Sequence, residues 1–363
     1  MKQSTHHKSP PGYLQRIFLL GILAGIFFLV AFWGSSCTQV TTPLVNGGID
    51  TTSHDFTFFV DTLGHSGLLS DVAIINDTLV YAVGEIFLRD STGQIDPTAY
   101  SVAIWNGVKW QLKRLYYNEN SLITSIRGVS ALGANDVWLA AGSIFHWDGV
   151  SSIAQLSFSR LNLPDANATL EKLWVGVGPK LYAVGNAGTI VFHDRISWQW
   201  MQVGSAISLT DVWGVEASSL QPFVIAVGSD FGTNHHVYAI SESSVQDTMS
   251  RTWTIRPFGV WFTNPVNVYV AADGVWRYSD GSWEEGLVLS VPFNRVKGSA
   301  ENNIFATGKS ASKTYVVLYN GASWKELNAP TNAILRGLAV HPKLVVAVGD
   351  YADVPIIIRG YPQ

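Results

Sequence analysis

Short apolar runs recur along the chain at near-even spacing. Each is five or six residues long and, with one exception, ends in glycine. They read Val80-Tyr81-Ala82-Val83-Gly84, Val137-Trp138-Leu139-Ala140-Ala141-Gly142, Leu181-Tyr182-Ala183-Val184-Gly185, Val224-Ile225-Ala226-Val227-Gly228, Ile304-Phe305-Ala306-Thr307-Gly308 and Val345-Val346-Ala347-Val348-Gly349. A weaker copy, Val268-Tyr269-Val270-Ala271-Ala272, lacks the closing glycine. A second kind of run closes on a short turn before a tryptophan: Trp105-Asn106-Gly107 before Trp110, His193-Asp194 before Trp198, Asp280-Gly281 before Trp283 and Tyr319-Asn320-Gly321 before Trp324, with Trp147-Asp148-Gly149 as a further copy. Asn-Gly and Asp-Gly between β-rich runs are strong hairpin signals, because the turn needs positive φ.

The spacing from Gly84 to Gly349 averages about 44 residues, the length of a four-stranded blade. The chain is therefore expected to be all-β, a seven-bladed β-propeller of four-stranded antiparallel blades. The expected blades span 68–116, 122–162, 168–204, 208–257, 258–289, 292–329 and 334–363. The last holds only three strands, so its outer strand is expected from Phe56 to Leu63 at the other end of the domain, which removes the open sheet edges. Blade two lacks the tryptophan in its outer segment, Ser152 to Leu161. Trp110, Trp198, Trp283 and Trp324 are expected to pack on the rims of neighbouring blades. The repeat thus builds blades and performs no chemistry.

Composition narrows the picture. At 363 residues, 47% hydrophobic and 14% charged, the chain can bury a large core and is too apolar for disorder. The net charge is −4, and residues 1–36 carry three cations and no acid, so the body is near −7. That balance speaks against a nucleic-acid partner, which needs a clustered basic face. Nor is any metal or cofactor expected. His235 and His236 are adjacent and point to opposite faces of a strand, and no P-loop, nucleophile elbow or zinc motif occurs.

The chain begins with a basic segment, 1–16, then an uninterrupted apolar run from Ile17 to Trp33, then Gly34-Ser35-Ser36 before Cys37, the only cysteine. This is the pattern of a secretory signal, and it resembles a bacterial lipobox. The resemblance implies a signal peptide over 1–36, lipidation of Cys37 and a tether over 37–55, with the propeller over 56–363. The other reading of the same run is an uncleaved membrane anchor. Either places the body at a cell-envelope membrane.

At Tyr278-Ser279-Asp280-Gly281-Ser282-Trp283 the chain resembles Asp-box and kelch-like bacterial propellers. Over 51–363, including Thr51-Thr52-Ser53-His54-Asp55-Phe56-Thr57-Phe58, it is similar to a group of bacterial lipoproteins sometimes labelled glucosyltransferases. No nucleotide-sugar fold or Asp-x-Asp pair accompanies that label here.

Candidate chemistry gathers where propellers bind ligands, around the channel and on the loops that cover one face. The long loops carry Arg89, Asp90, Asp230 and His235. Aligning the inner strands places Asp71, Arg127, Lys172, Asp211, Gly259, Lys297 and Arg336 in one ring, either as inter-blade ion pairs or as an anion site with a surplus of cations. The leading functional reading is a monomeric, non-catalytic binding or scaffolding module for an envelope protein or glycan. The alternative is a glycan-active enzyme in which Arg127 and Arg336 hold an acidic sugar and Asp71 or Asp211 acts as acid or base.

Overall fold

Seven sheets of four antiparallel strands follow one another along the chain. The computed structural model describes residues 54–177, 180–194, 196–216, 222–230, 232, 234–247, 249–287, 289 and 291–363. The expected signal peptide, Cys37 and the expected tether as far as residue 53 lie outside the described residues. The inner strands of blades one to seven are Ser66–Asn76, Gly128–Gly133, Leu170–Gly176, Ser208–Val215, Gly259–Asn264, Phe293–Ala300 and Ile334–His341. They pack against one another in chain order, and the seventh returns to the first, so the molecule is a seven-bladed β-propeller.

The ring closes as the unfinished last repeat requires. Phe56–Thr62 pairs antiparallel with Val354–Pro362, from Phe56 opposite Pro362 to Thr62 opposite Ile356. Phe56 packs edge-on against Phe305 of blade six at 5.1 Å, so the closing strand is held by side chains as well as by its ladder. The hydrophobic core lies between blades. One cluster joins Leu69, Val80 and Trp105 of blade one to Leu344, Val346 and Ile357 of blade seven, and another joins Tyr182 and Phe192 of blade three to Val224 and Tyr238 of blade four.

The glycine that ends each second strand has a steric cause. In blades one, three, four, six and seven the inner strand bulges opposite it. The bulge carries a carbonyl across the glycine: a Cβ on Gly185 would lie 1.7 Å from the Thr169 oxygen, and one on Gly349 would lie 1.8 Å from the Ile334 oxygen. In blade five, where Ala272 replaces the glycine, the inner strand begins only at Gly259 and no bulge forms opposite it. Bulges of this kind bend a strand and raise its twist.

The rim tryptophans each reach the preceding blade. The indole of Trp110 donates to Asp61 in the closing strand, and that of Trp283 donates to the Met249 carbonyl. Trp198 packs on Trp138 and Phe158, and Trp324 covers Gly286. The structure also holds a small hairpin, Tyr116–Asn118 with Ser121–Leu122, in a stretch the repeat pattern divides between blades one and two. It is anchored on blade two by Tyr116 N donating to Ser152 O and Ala154 N donating to Tyr116 O.

Candidate functional site

Every inner strand starts at the same face of the ring, together with the loops joining second to third strands and one blade to the next. The mouth of the channel on this face is a cavity of about 580 Å³. Five cations line it, Arg127, Lys172, Arg256, Arg295 and Arg336, against two acids, Glu85 and Glu171, on a chain whose overall charge is negative. Ser70, Ser125, Ser208, Thr210 and Asn294 supply neutral hydrogen-bonding groups between them.

The sequence alignment of the inner ring holds at four positions and slips at three. Opposite the residue that precedes the second-strand glycine stand Asp71, Lys172 and Asp211, with Gly259 and Gly128 opposite the equivalent alanines, Arg295 opposite Thr307 and Gly337 opposite Val348. Arg336 is the extra residue of its bulge, and Arg127 takes the matching place in blade two. Lys297 sits two residues further along its strand. The bulge adds one residue that a count along the chain does not reveal, and this moves the ring.

The ion pairs of the ring each skip a blade. Lys172 Nζ lies 2.8 Å from Asp71 Oδ2, joining blade three to blade one, and Lys297 Nζ lies 2.9 Å from Asp211 Oδ2, joining blade six to blade four. Each pair reaches past a glycine in the blade between, Gly128 or Gly259. There a Cβ would meet the next inner strand, 3.1 Å from Lys172 Cα or 3.0 Å from Arg295 Cα. Each aspartate also accepts from the backbone just after that glycine, Val129 N at 3.4 Å and Val260 N at 3.0 Å. Both pairs are largely buried. Burial pulls the Lys172 ammonium down to about 8, an effect the Asp71 charge only partly offsets. For Asp211, burial would raise the carboxyl, but the charges of Lys297, Arg295 and Lys172 and the Val260 N–H outweigh it and hold the group below its ordinary value.

The arginines at the mouth are engaged less fully. Arg127 is 57% exposed, and its bond to Glu171 is long at 3.4 Å. Glu171 meanwhile also accepts from Asn186 Nδ2 at 3.1 Å. Arg336 is aimed by Asp350 at 2.8 Å and remains 40% exposed. Arg295 donates from one terminal nitrogen to the Phe258 and Asn294 carbonyls, while its buried Nε has no partner. The Arg256 guanidinium lies over the Phe258 ring at 4.8 Å. Among the described residues neither Arg295 nor Arg256 has a carboxylate within ion-pair distance. Ser125, at φ +53, turns its hydroxyl onto Glu85 at 2.7 Å.

Of the candidates drawn from the sequence, Arg127, Lys172 and Arg336 line the mouth; Asp71, Asp211 and Lys297 belong to the pairs beneath it. The loop candidates stand apart. Asp90 accepts from the Thr92 and Gln94 amides and the Thr92 hydroxyl, and Asp230 from the Gly232 amide and the Asn234 side chain, so both carboxylates fold their own loops. Arg89 contacts His65 and the Gly93 carbonyl. His235 is buried and its Nδ1 accepts from Trp253 N. Arg256 and Arg295 escaped the sequence reading. A count back from Thr307 that allowed for the bulge points to Arg295, whereas Arg256 sits in a connection with no repeat signal.

No family model matches the chain, and no curated protein matches its sequence. Solved structures share its fold. YCF48 bound to a D1 peptide aligns with a TM-score of 0.61 at 14% identity, over 86% of this chain and 99% of that one. An inactive virginiamycin B lyase from Staphylococcus aureus with quinupristin aligns at 0.62 and 12%, over 84% and 99%. The WD40 propeller domain of Doa1 aligns at 0.60 and 13%, over 84% and 97%. At these identities the likeness is one of fold.

Proposed function

We propose that this protein is a binding module held at a cell-envelope membrane by its N-terminal segment, and that it recognises an anionic segment of a protein partner in the channel mouth. One observation carries the reading: four arginines and a lysine converge on a single open cavity, and two of the arginines lack any carboxylate partner among the described residues. Guanidinium groups in a concave, partly desolvated site bind carboxylate or phosphate strongly, and bidentate geometry adds selectivity. Propellers offer such a site on a rigid frame, and the similarity to YCF48 bound to a peptide supports a protein ligand. Attachment rests on the sequence of residues 1–37, in which Cys37 carries the lipid.

The binding reading is preferred to the glycan-active one because the residues expected to serve as its acid or base are already engaged. Asp71 and Asp211 lie beneath the mouth, and each is occupied by a lysine and a backbone N–H. The test is titration of the full chain with acidic and neutral peptide libraries and with acidic glycans, using wild type and an Arg127→Gln/Arg336→Gln variant. Selective capture of acidic peptides, weakened in the variant, is the expected result. Selective capture of an acidic glycan replaces the protein partner with a sugar, and equal binding by both proteins removes the mouth as the site.

A further inference from the structure

The face opposite the mouth has a character of its own. Antiparallel blades place the turns between strands one and two, and those between strands three and four, at the same end of every sheet. The turn face carries apolar side chains at its tips, four on blades one to three and one on blade five: Val108 is 82% exposed, Val150 68%, Val177 71%, Ile196 90% and Val266 64%. Four of these tips are rigid, that of blade five because Asn264 Oδ1 accepts from the amides of Val266 and Asn267. Asn106 Oδ1 accepts from the amides of Val108 and Lys109, Asp148 Oδ1 from Val150 and Ser151, and Asp194 Oδ1 from Ile196 and Ser197. Such Asx turns hold the backbone and aim the side chain outward. Blade six has the same turn, built on Asn320, with only Ala322 at the tip. The apolar tips thus gather mainly on blades one to three, with one more on blade five, and are no requirement of the turn.

The topology also fixes where the N-terminal chain joins. The third strand of blade seven, Val354–Pro362, runs from the mouth to the turn face, and Phe56 pairs with Pro362 at its end. The chain that precedes Phe56 therefore joins the propeller at the turn face.

We propose that the turn face is a membrane-contact surface. Val108, Val150, Val177 and Ile196 rest in the lipid interface, and the arginine-lined mouth points away from the bilayer. This rests on the membrane attachment proposed above. A lone apolar side chain on a surface needs no explanation, but rigid knobs grouped on the face where a membrane-directed segment joins match the way peripheral proteins dip small apolar elements into headgroups. Attachment through the N-terminus supplies most of the affinity; the tips set the orientation.

The test uses the full chain reconstituted in nanodiscs of phosphatidylethanolamine and phosphatidylglycerol, with amide exchange followed by mass spectrometry. Turns 106–109, 148–151 and 194–197 should exchange about fivefold or more slower than in the chain free of bilayer, with turn 320–323 and the mouth loops unchanged. A Val108→Ser/Val150→Ser/Ile196→Ser variant, at exposed positions that leave folding intact, should stay attached and lose the protection. Equal exchange in both states for an attached chain overturns this proposal alone, as does protection in the mouth loops instead. Protection that appears without bilayer, together with a doubled mass, assigns the face to a second copy and also overturns it. A chain that fails to enter the bilayer overturns both this proposal and the attachment it rests on.

Discussion

Arg359 Nε lies 2.6 Å from Asp61 Oδ2, joining residues 298 positions apart where the closing strand meets the last repeat. The same guanidinium stacks on Trp105 of blade one at 3.9 Å, and the same carboxylate accepts the Trp110 indole at 2.9 Å. One ion pair therefore ties the closing strand both to the blade it completes and to blade one. Asp61→Ala strips Arg359 and Trp110 of their acceptor together. The expected loss is about 2–3 kcal/mol, read as a lower urea midpoint with unchanged slope.

The buried pairs and the mouth arginines should separate cleanly by mutation. Asp211→Ala leaves Lys297 and the Val260 N–H without their acceptor in a buried setting, at a cost of about 3–5 kcal/mol. Arg127→Ala, exposed and weakly paired, should cost about 0–1 kcal/mol. Chemical unfolding measures both, and Arg127→Ala should instead lower affinity for acidic peptides.

Lys172 brings a pH dependence whose sign follows from its burial. Its ammonium titrates near 8 in the folded chain against an ordinary 10.5, so the unfolded chain holds the extra proton between those values. This group's contribution to stability therefore rises with pH across that window, and below about 8 the burial penalty is present in full. Anion binding at the mouth runs the other way and should weaken as pH passes 8 and Lys172 loses its charge. Calorimetric titration at pH 6.5 to 9 should show the step, and an Asp71→Asn/Lys172→Met variant should lack it.

Gly349→Ala tests the steric account of the repeat glycine. Its Cβ would sit 1.8 Å from the Ile334 carbonyl, within a bulge that cannot relax without breaking the inner strand. Destabilisation of about 2 kcal/mol or more is expected. Gly133→Ala has open space around the added carbon and should change stability by less than about 1 kcal/mol. Thermal melts of the two variants make the comparison.

The sequence alone carried the all-β class, the seven repeats, the closing strand from Phe56 and the reach of the rim tryptophans. Each of these is written in local patterns: alternation, Asn-Gly turns and an even period. Register and side-chain direction are not local. Inner-strand bulges shift the count by one, so Arg127 and Arg336, which the alignment set in the ring beside Asp71 and Lys172, stand one residue before it with Gly128 and Gly337 in their place, and Arg295 takes the place given to Lys297. Pairing across two blades, Asp71 with Lys172 and Asp211 with Lys297, depends on Gly128 and Gly259 leaving room between inner strands that meet only when the ring closes. Which cations share the mouth, and which face the N-terminal chain joins, were decided by that closure, because they are relations between residues that no spacing along the chain encodes.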